Sequence, residues 1–188
     1  MSLETIDWGT LPQPENDGAA DHLKGMRIPG VILPGTDGSK VELASIPGLL
    51  ILYAYPLTGR PDIALPEGWN NIPGARGCTP QSCAYRDHFK EIQDLGVRGV
   101  FGVSVQTTEY QREAAARLHL PFSLLSDADY LLTDALRLPT MIVEGRRLVK
   151  RLSMVIRDAK IVDVNYPVFP PDRDAPRIID WLRNHGDG

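Results

Sequence analysis

The run Gly48-Leu49-Leu50-Ile51-Leu52-Tyr53-Ala54-Tyr55, closed by Pro56, contains no charged side chain. A half-exposed strand alternates apolar and polar residues, so an unbroken apolar run of this length fits a central strand covered on both faces. Upstream, Val31-Ile32-Leu33, the turn Pro34-Gly35-Thr36-Asp37-Gly38 and Val41-Glu42-Leu43 read as a small hairpin. Downstream, Val97 to Val105 reads as a strand, Thr107 to Leu118 as a helix, Phe122 to Leu125 as a short strand and Asp129 to Leu136 as a short helix. Met141 to Val143, Leu148 to Ile156 and Ile161 to Asn165 read as strands, joined by turns at Glu144-Gly145-Arg146 and Arg157-Asp158-Ala159. Ala175 to Asn184 would close the domain as a helix. Strand–helix alternation followed by hairpins predicts an α/β fold with a mixed central sheet flanked by helices.

The 188 residues fit one domain with a proper core. Residues 1–25, rich in Pro, Asp, Asn and Gly, read as an extended arm, and 26–188 as the folded domain. The net charge is −4 with Lys and Arg scattered, so no basic stripe marks a nucleic-acid or anionic-membrane surface. Met1 to Thr10 is acidic without an apolar run, and Gly48 to Tyr55 is far shorter than the ~20 residues of a membrane span. A soluble, cytoplasmic protein is expected. In that compartment close-spaced thiols point to redox chemistry or metal binding rather than a lasting structural disulfide.

The chain has two cysteines, five positions apart, in Gly77-Cys78-Thr79-Pro80-Gln81-Ser82-Cys83. Thr79 is a good N-cap and Pro80 suits a first helical position. Tyr85, Phe89, Ile92 and Leu95 continue as one apolar helical stripe. Cys78 then sits at the helix N-terminus, where free N–H groups and the helix dipole favour a negative sulfur. Cys83, one turn inside, lacks that help. Alpha carbons five apart on an intact helix are about 8–9 Å apart, and a disulfide needs less than about 7 Å. The helix start must unwind before the pair can join. The same spacing also fits two buried, inert cysteines. His22, His88, His119 and His185 are too dispersed to complete a metal site. No Gly-x-Ser-x-Gly elbow, phosphate loop or dinucleotide fingerprint occurs.

Gly77-Cys78-Thr79 through Cys83, followed by Tyr85-Arg86-Asp87, resembles the peroxiredoxins, and most closely their bacterioferritin-comigratory subgroup. Tyr55-Pro56, Phe101-Gly102-Val103-Ser104, Leu120-Pro121-Phe122 with Leu124-Leu125-Ser126-Asp127, and Lys150-Arg151-Leu152-Ser153-Met154-Val155-Ile156 support it in order, over roughly residues 28–183. The resemblance implies a thioredoxin-like fold and hydroperoxide reduction without metal, flavin or haem. It makes Cys78 the peroxidatic and Cys83 the resolving cysteine, with thioredoxin or glutaredoxin as reductant and a monomer or homodimer as the working form. Arg151, otherwise readable as an exposed strand arginine, would hold the peroxide and support the thiolate with its charge.

One departure stands out. The family's Thr or Ser three residues before the peroxidatic cysteine is Ala75 here, and its proline is Asn71. The segment 57–77, with three prolines and four glycines, reads as a long loop with extra residues relative to the family. Thr58 could supply the hydroxyl if the loop folds back, or be a plain turn threonine. Trp69 is a candidate wall of the peroxide pocket. A protein disulfide exchanger, which would want two rather than four intervening residues, and a non-catalytic binding module remain as rival classes.

Overall fold

The computed structural model describes residues 6–185. A short antiparallel ribbon, β1 (Ile32–Pro34) and β2 (Lys40–Glu42), comes first. The apolar run forms β3 (Leu49–Ala54), with all six residues buried. Next come α1 (Cys78–Asp87), α2 (Phe89–Asp94), β4 (Val97–Ser104), α3 (Thr108–Arg117), β5 (Leu124–Ser126) and α4 (Leu131–Leu136). A second ribbon, β6 (Thr140–Val143) with β7 (Arg146–Val149), precedes β8 (Leu152–Arg157), β9 (Lys160–Asn165) and α5 (Asp174–His185).

The main sheet runs β5-β4-β3-β8-β9, parallel on the β4 side of β3 and antiparallel on the β8 side. Alternate residues of β3 feed two separate cores. Leu50, Leu52 and Ala54 join one with Leu132, Leu136 and Met154; Leu49, Ile51 and Tyr53 join the other with Tyr85, Ile178 and Leu182. That double covering is what the uninterrupted apolar run encodes. At roughly 1.5–3 kcal/mol for each large side chain fully buried, β3 is a major source of cohesion.

Three boundaries differ from the sequence expectation. The stretch Leu148 to Ile156 is not one strand. The chain leaves the β6–β7 ribbon at Val149 and enters the main sheet at Leu152, with Lys150 and Arg151 in the crossover; there Lys150 N–H donates to the Pro139 carbonyl at 2.8 Å. The helix after Cys78 breaks at His88, whose φ of −99° and ψ of 6° end α1 and begin α2, although the apolar stripe continues across the break. The arm is not extended throughout. Leu23 is wholly buried in the first core, and Gly25 N–H donates to the Ile161 carbonyl at 2.8 Å, so the arm's last residues are stitched into the domain. Residues 1–5 of the expected arm and 186–188 of the expected domain lie outside the described residues.

Candidate active site

Helix α1 begins at Cys78 itself, and its N-cap is Gly77 rather than Thr79. Thr79-Pro80 is a sound capping signal, but Gly77 pre-empts it by adopting φ 115°, a left-handed conformation that favours glycine. Space demands glycine as well. A Cβ at 77 would lie 2.4 Å from Pro171 Cγ and 3.1 Å from the indole of Trp8. The outcome for chemistry is the expected one: the Cys78 sulfur sits at the positive end of a ten-residue helix.

Arg151 reaches this sulfur from the β7–β8 crossover. Its side chain is buried, with Nη2 donating to Cys78 Sγ at 3.2 Å. The same nitrogen faces the carbonyls of Gly74, Ala75 and Arg76 at 3.3, 3.0 and 3.3 Å, while Nη1 donates to Gln81 Oε1 at 2.6 Å. The guanidinium therefore ties the loop before Cys78 to the first turn of α1, with its charge on the sulfur. Gln81 is a site residue that no sequence motif marks. Its signal was its place three residues after Cys78, on the same helical face.

Cys83, the sixth residue of α1, is also a free thiol and buried. Burial pushes its pKa up, partly offset by the guanidinium of Arg86. The unbroken helix keeps the two thiols at the five-residue offset, so no disulfide can close without unwinding. Both cysteines line one cleft of about 620 Å³, whose apolar walls are Trp8, Leu57, Leu65 and Trp69. Trp69 is thus a wall residue. Trp8, contributed by the arm, was not foreseen; its indole N–H donates to Asp172 at 3.0 Å and its ring meets Phe169 edge-on.

Position 75, where a hydroxyl was expected, is a fully buried alanine, and Asn71 lies in a 3-10 turn with Trp69. Thr58 is buried, and its backbone N–H donates to Gln106 Oε1 at 2.9 Å. Among the described residues its Oγ1 has no hydrogen-bond partner. Its neighbours Leu57 and Gly59 line the cleft, and Thr58 is not among the lining residues. The Tyr55 hydroxyl is held above the usual phenol range chiefly by burial; Ser104 and Thr58 oppose this, and the Cys78 sulfur adds to it.

A family model described as Redoxin matches residues 23–179. The chain belongs to the redoxin family. This redoxin is 31% identical over 121 residues to peroxiredoxin bcp1 of Schizosaccharomyces pombe, an alignment spanning 62% of this chain and 54% of the relative. It is 28% identical over 162 residues to peroxiredoxin Bcp of Escherichia coli, spanning 84% of this chain and 93% of the relative. The crystal structure of peroxidoxin BcpB from Mycobacterium tuberculosis superposes with a TM-score of 0.71 at 26% identity, covering 87% of this chain and 99% of that one. The redoxin is accordingly a peroxiredoxin of the bacterioferritin-comigratory type, a thiol peroxidase by class, on a thioredoxin-like fold. Among the described residues, no helix is long and apolar enough to cross a membrane and no group of three or more His, Cys, Asp or Glu gathers as a metal site.

Proposed function

We propose that this redoxin reduces hydrogen peroxide or organic hydroperoxides with Cys78 as the attacking thiol and Cys83 as the resolving one. The observation that carries the assignment is the Arg151 guanidinium, 3.2 Å from Cys78 Sγ at the start of α1. No comparable helix-terminal position activates Cys83, which sits inside α1 with its acidity weakened by burial.

In the first step the Cys78 thiolate attacks the terminal oxygen of ROOH. An S–O bond forms, the O–O bond breaks, and the departing alkoxide or hydroxide takes a proton from solvent, leaving Cys78 as sulfenic acid. Negative charge moves from sulfur towards the leaving oxygen. Arg151, already held against the sulfur, and the free N–H groups of the helix start would stabilise that charge with little reorganisation. The start of α1 then unwinds, and the Cys83 thiolate attacks Cys78 Sγ; an S–S bond forms and hydroxide leaves. An external dithiol, thioredoxin or glutaredoxin, returns both thiols by two exchanges. The protein acts in the cytoplasm as a monomer or homodimer.

Thr58 is the proposed source of the hydroxyl absent at position 75. In support, it is buried between Leu57 and Gly59, which line the cleft with Cys78. The apolar walls Trp8, Leu57, Leu65 and Trp69 leave room for an organic R group above the sulfur.

Rapid mixing with peroxide separates this function from its rivals. A peroxidase oxidises Cys78 within the mixing experiment. A protein disulfide exchanger reacts slowly with peroxide but reduces insulin, and a binding module does neither.

A further inference from the structure

The mechanism above makes no use of the carboxylate of Asp174, the first residue of α5, which is 1% exposed. Its two oxygens accept four hydrogen bonds from neutral donors. Oδ1 takes Ser153 Oγ at 2.6 Å and Asn165 Nδ2 at 2.9 Å, from β8 and β9. Oδ2 takes Gln81 Nε2 and the Tyr85 hydroxyl, each at 2.8 Å, both from α1. One oxygen is thus anchored in the sheet and the other holds the helix that must unwind. Since all four partners donate, the carboxylate is the form this pocket satisfies.

Gln81 links this pocket to the sulfur. Its amide N–H₂ donates to Asp174 while its carbonyl accepts from Arg151 Nη1, which leaves Arg151 Nη2 for Cys78 Sγ. An amide has one donor end and one acceptor end, so the carboxylate fixes which way Gln81 faces. Reversed, Gln81 would present N–H groups to a guanidinium, donor against donor. Gln81 also lies between Cys78 and Cys83, so closing the disulfide must pull it away from Asp174.

We propose that Asp174 is a positioning residue with two linked effects: it orients Arg151 through Gln81 for peroxide attack, and it latches α1 against unwinding through Gln81 and Tyr85. This rests on the assignment of Cys78 and Cys83 made above. The latch lengthens the life of the sulfenic acid in the folded site, so it also sets how often a second peroxide reaches Cys78 before Cys83 does.

Asp174→Asn keeps the shape and replaces one acceptor oxygen by a donor. With the side-chain amide free to face Gln81, the glutamine reverses and turns its own N–H₂ towards Arg151. Attack on peroxide should slow by about tenfold as the guanidinium loses its alignment. Disulfide closure should quicken by about fivefold to tenfold, the worth of exchanging charge-assisted bonds for neutral ones. Tyr85→Phe separates the two effects. It removes one α1 donor but keeps the ring stacked on Tyr53 at 4.5 Å and leaves the Gln81–Arg151 contact in place. Closure in that variant should quicken about threefold to tenfold, with peroxide attack at the wild-type rate.

The experiment is single-turnover oxidation of each full-length protein by hydrogen peroxide, quenched with an alkylating agent and read by intact mass, which resolves sulfenic, disulfide and sulfinic forms. Opposite changes in attack and closure for Asp174→Asn, and closure alone for Tyr85→Phe, support the proposal. Lower sulfinic yield in both variants is a third expected result. Wild-type closure rates in both variants, or a wild-type attack rate in Asp174→Asn, would overturn it. If Asp174→Asn does not fold, a wild-type closure rate in Tyr85→Phe overturns the latch by itself. A wild-type protein that forms no Cys78–Cys83 disulfide would instead overturn the cysteine assignment, and the latch with it.

Discussion

Replacing Arg151 by Met tests the electrostatic part of the account, because it keeps an unbranched side chain of similar reach and removes the charge. The guanidinium nitrogen lies 3.2 Å from Cys78 Sγ. At that distance and an effective dielectric of about 20, two unit charges interact by about 5 kcal/mol, an upper limit because the positive charge is spread over three nitrogens. A hydrogen bond to a charged group is worth about 1.5–3 kcal/mol, which sets the lower limit. Since about 1.4 kcal/mol is a factor of ten, Arg151→Met should slow peroxide attack by between about tenfold and several thousandfold. Some of the loss could arise from the loop, because Arg151 also holds the carbonyls of Gly74, Ala75 and Arg76. Arg151→Lys addresses this: it keeps a positive charge but cannot fork between Gln81 and the sulfur, so it should fall between wild type and Met. The assay is stopped-flow tryptophan fluorescence at increasing peroxide, for which Trp8 and Trp69, both lining the cleft, are natural reporters. The slope against peroxide concentration gives the second-order rate constant. A wild-type constant in Arg151→Met, with the fold intact by circular dichroism, would refute the reasoning.

Three further outcomes are expected. Thr58→Val, which keeps the β-branched shape and removes only the oxygen, should cut the rate of peroxide attack by about 10²–10³-fold if the Thr58 hydroxyl contacts the peroxide; a wild-type rate would leave peroxide binding to the backbone N–H groups at the start of α1. Burial raises the pKa of Cys83 in the folded helix, so its neutral thiol favours folded α1 below the ordinary thiol pKa of about 8.5, and that contribution is lost as pH rises through the folded value. That eases unwinding only above about pH 8.5. Below it the thiolate fraction of the unwound Cys83 rises about tenfold per pH unit, so the disulfide-closing step should accelerate from pH 6 to 9, and a flat profile in rapid-quench experiments would count against Cys83 attacking as a thiolate. Gly77→Ala should cost about 2–4 kcal/mol in urea unfolding, from a left-handed φ of 115° and a Cβ 2.4 Å from Pro171 Cγ; a loss below about 1 kcal/mol would show that the cap relaxes easily.

The sequence carried the central strand plainly, because Leu49 to Ala54 face two cores and no polar residue interrupts them. It also carried the start of α1, since Gly, Thr and Pro all point to a helix beginning within two residues of Cys78. It misplaced the cap because Thr79-Pro80 is a local signal, whereas the choice of Gly77 depends on Pro171 and Trp8, far away in the chain. The crossover at Lys150-Arg151 was hidden for a related reason. Neither residue is a turn former, and the break is imposed by two separate sheets claiming Leu148-Val149 and Leu152-Ser153. Arg151 was reached only through resemblance to a family, since nothing local distinguishes a buried arginine from an exposed one. Trp8, Gln81 and Asp174 came from the structure alone; their roles rest on contacts across the chain, with Trp8 and Asp172 164 residues apart and Gln81 and Asp174 93 apart.

The division of labour between the two thiols is the central claim, and single-turnover oxidation of the two cysteine variants tests it most directly. Each reduced protein is mixed with one equivalent of hydrogen peroxide, and a dimedone-type probe then captures any sulfenic acid for mapping by peptide mass. Cys83→Ser should react at the wild-type rate for the first step and carry the adduct on Cys78, because attack needs only the sulfur beside Arg151. Cys78→Ser should consume no peroxide on that timescale. An adduct on Cys83 in Cys78→Ser, formed as fast as wild type, together with an inert Cys83→Ser, would contradict the account.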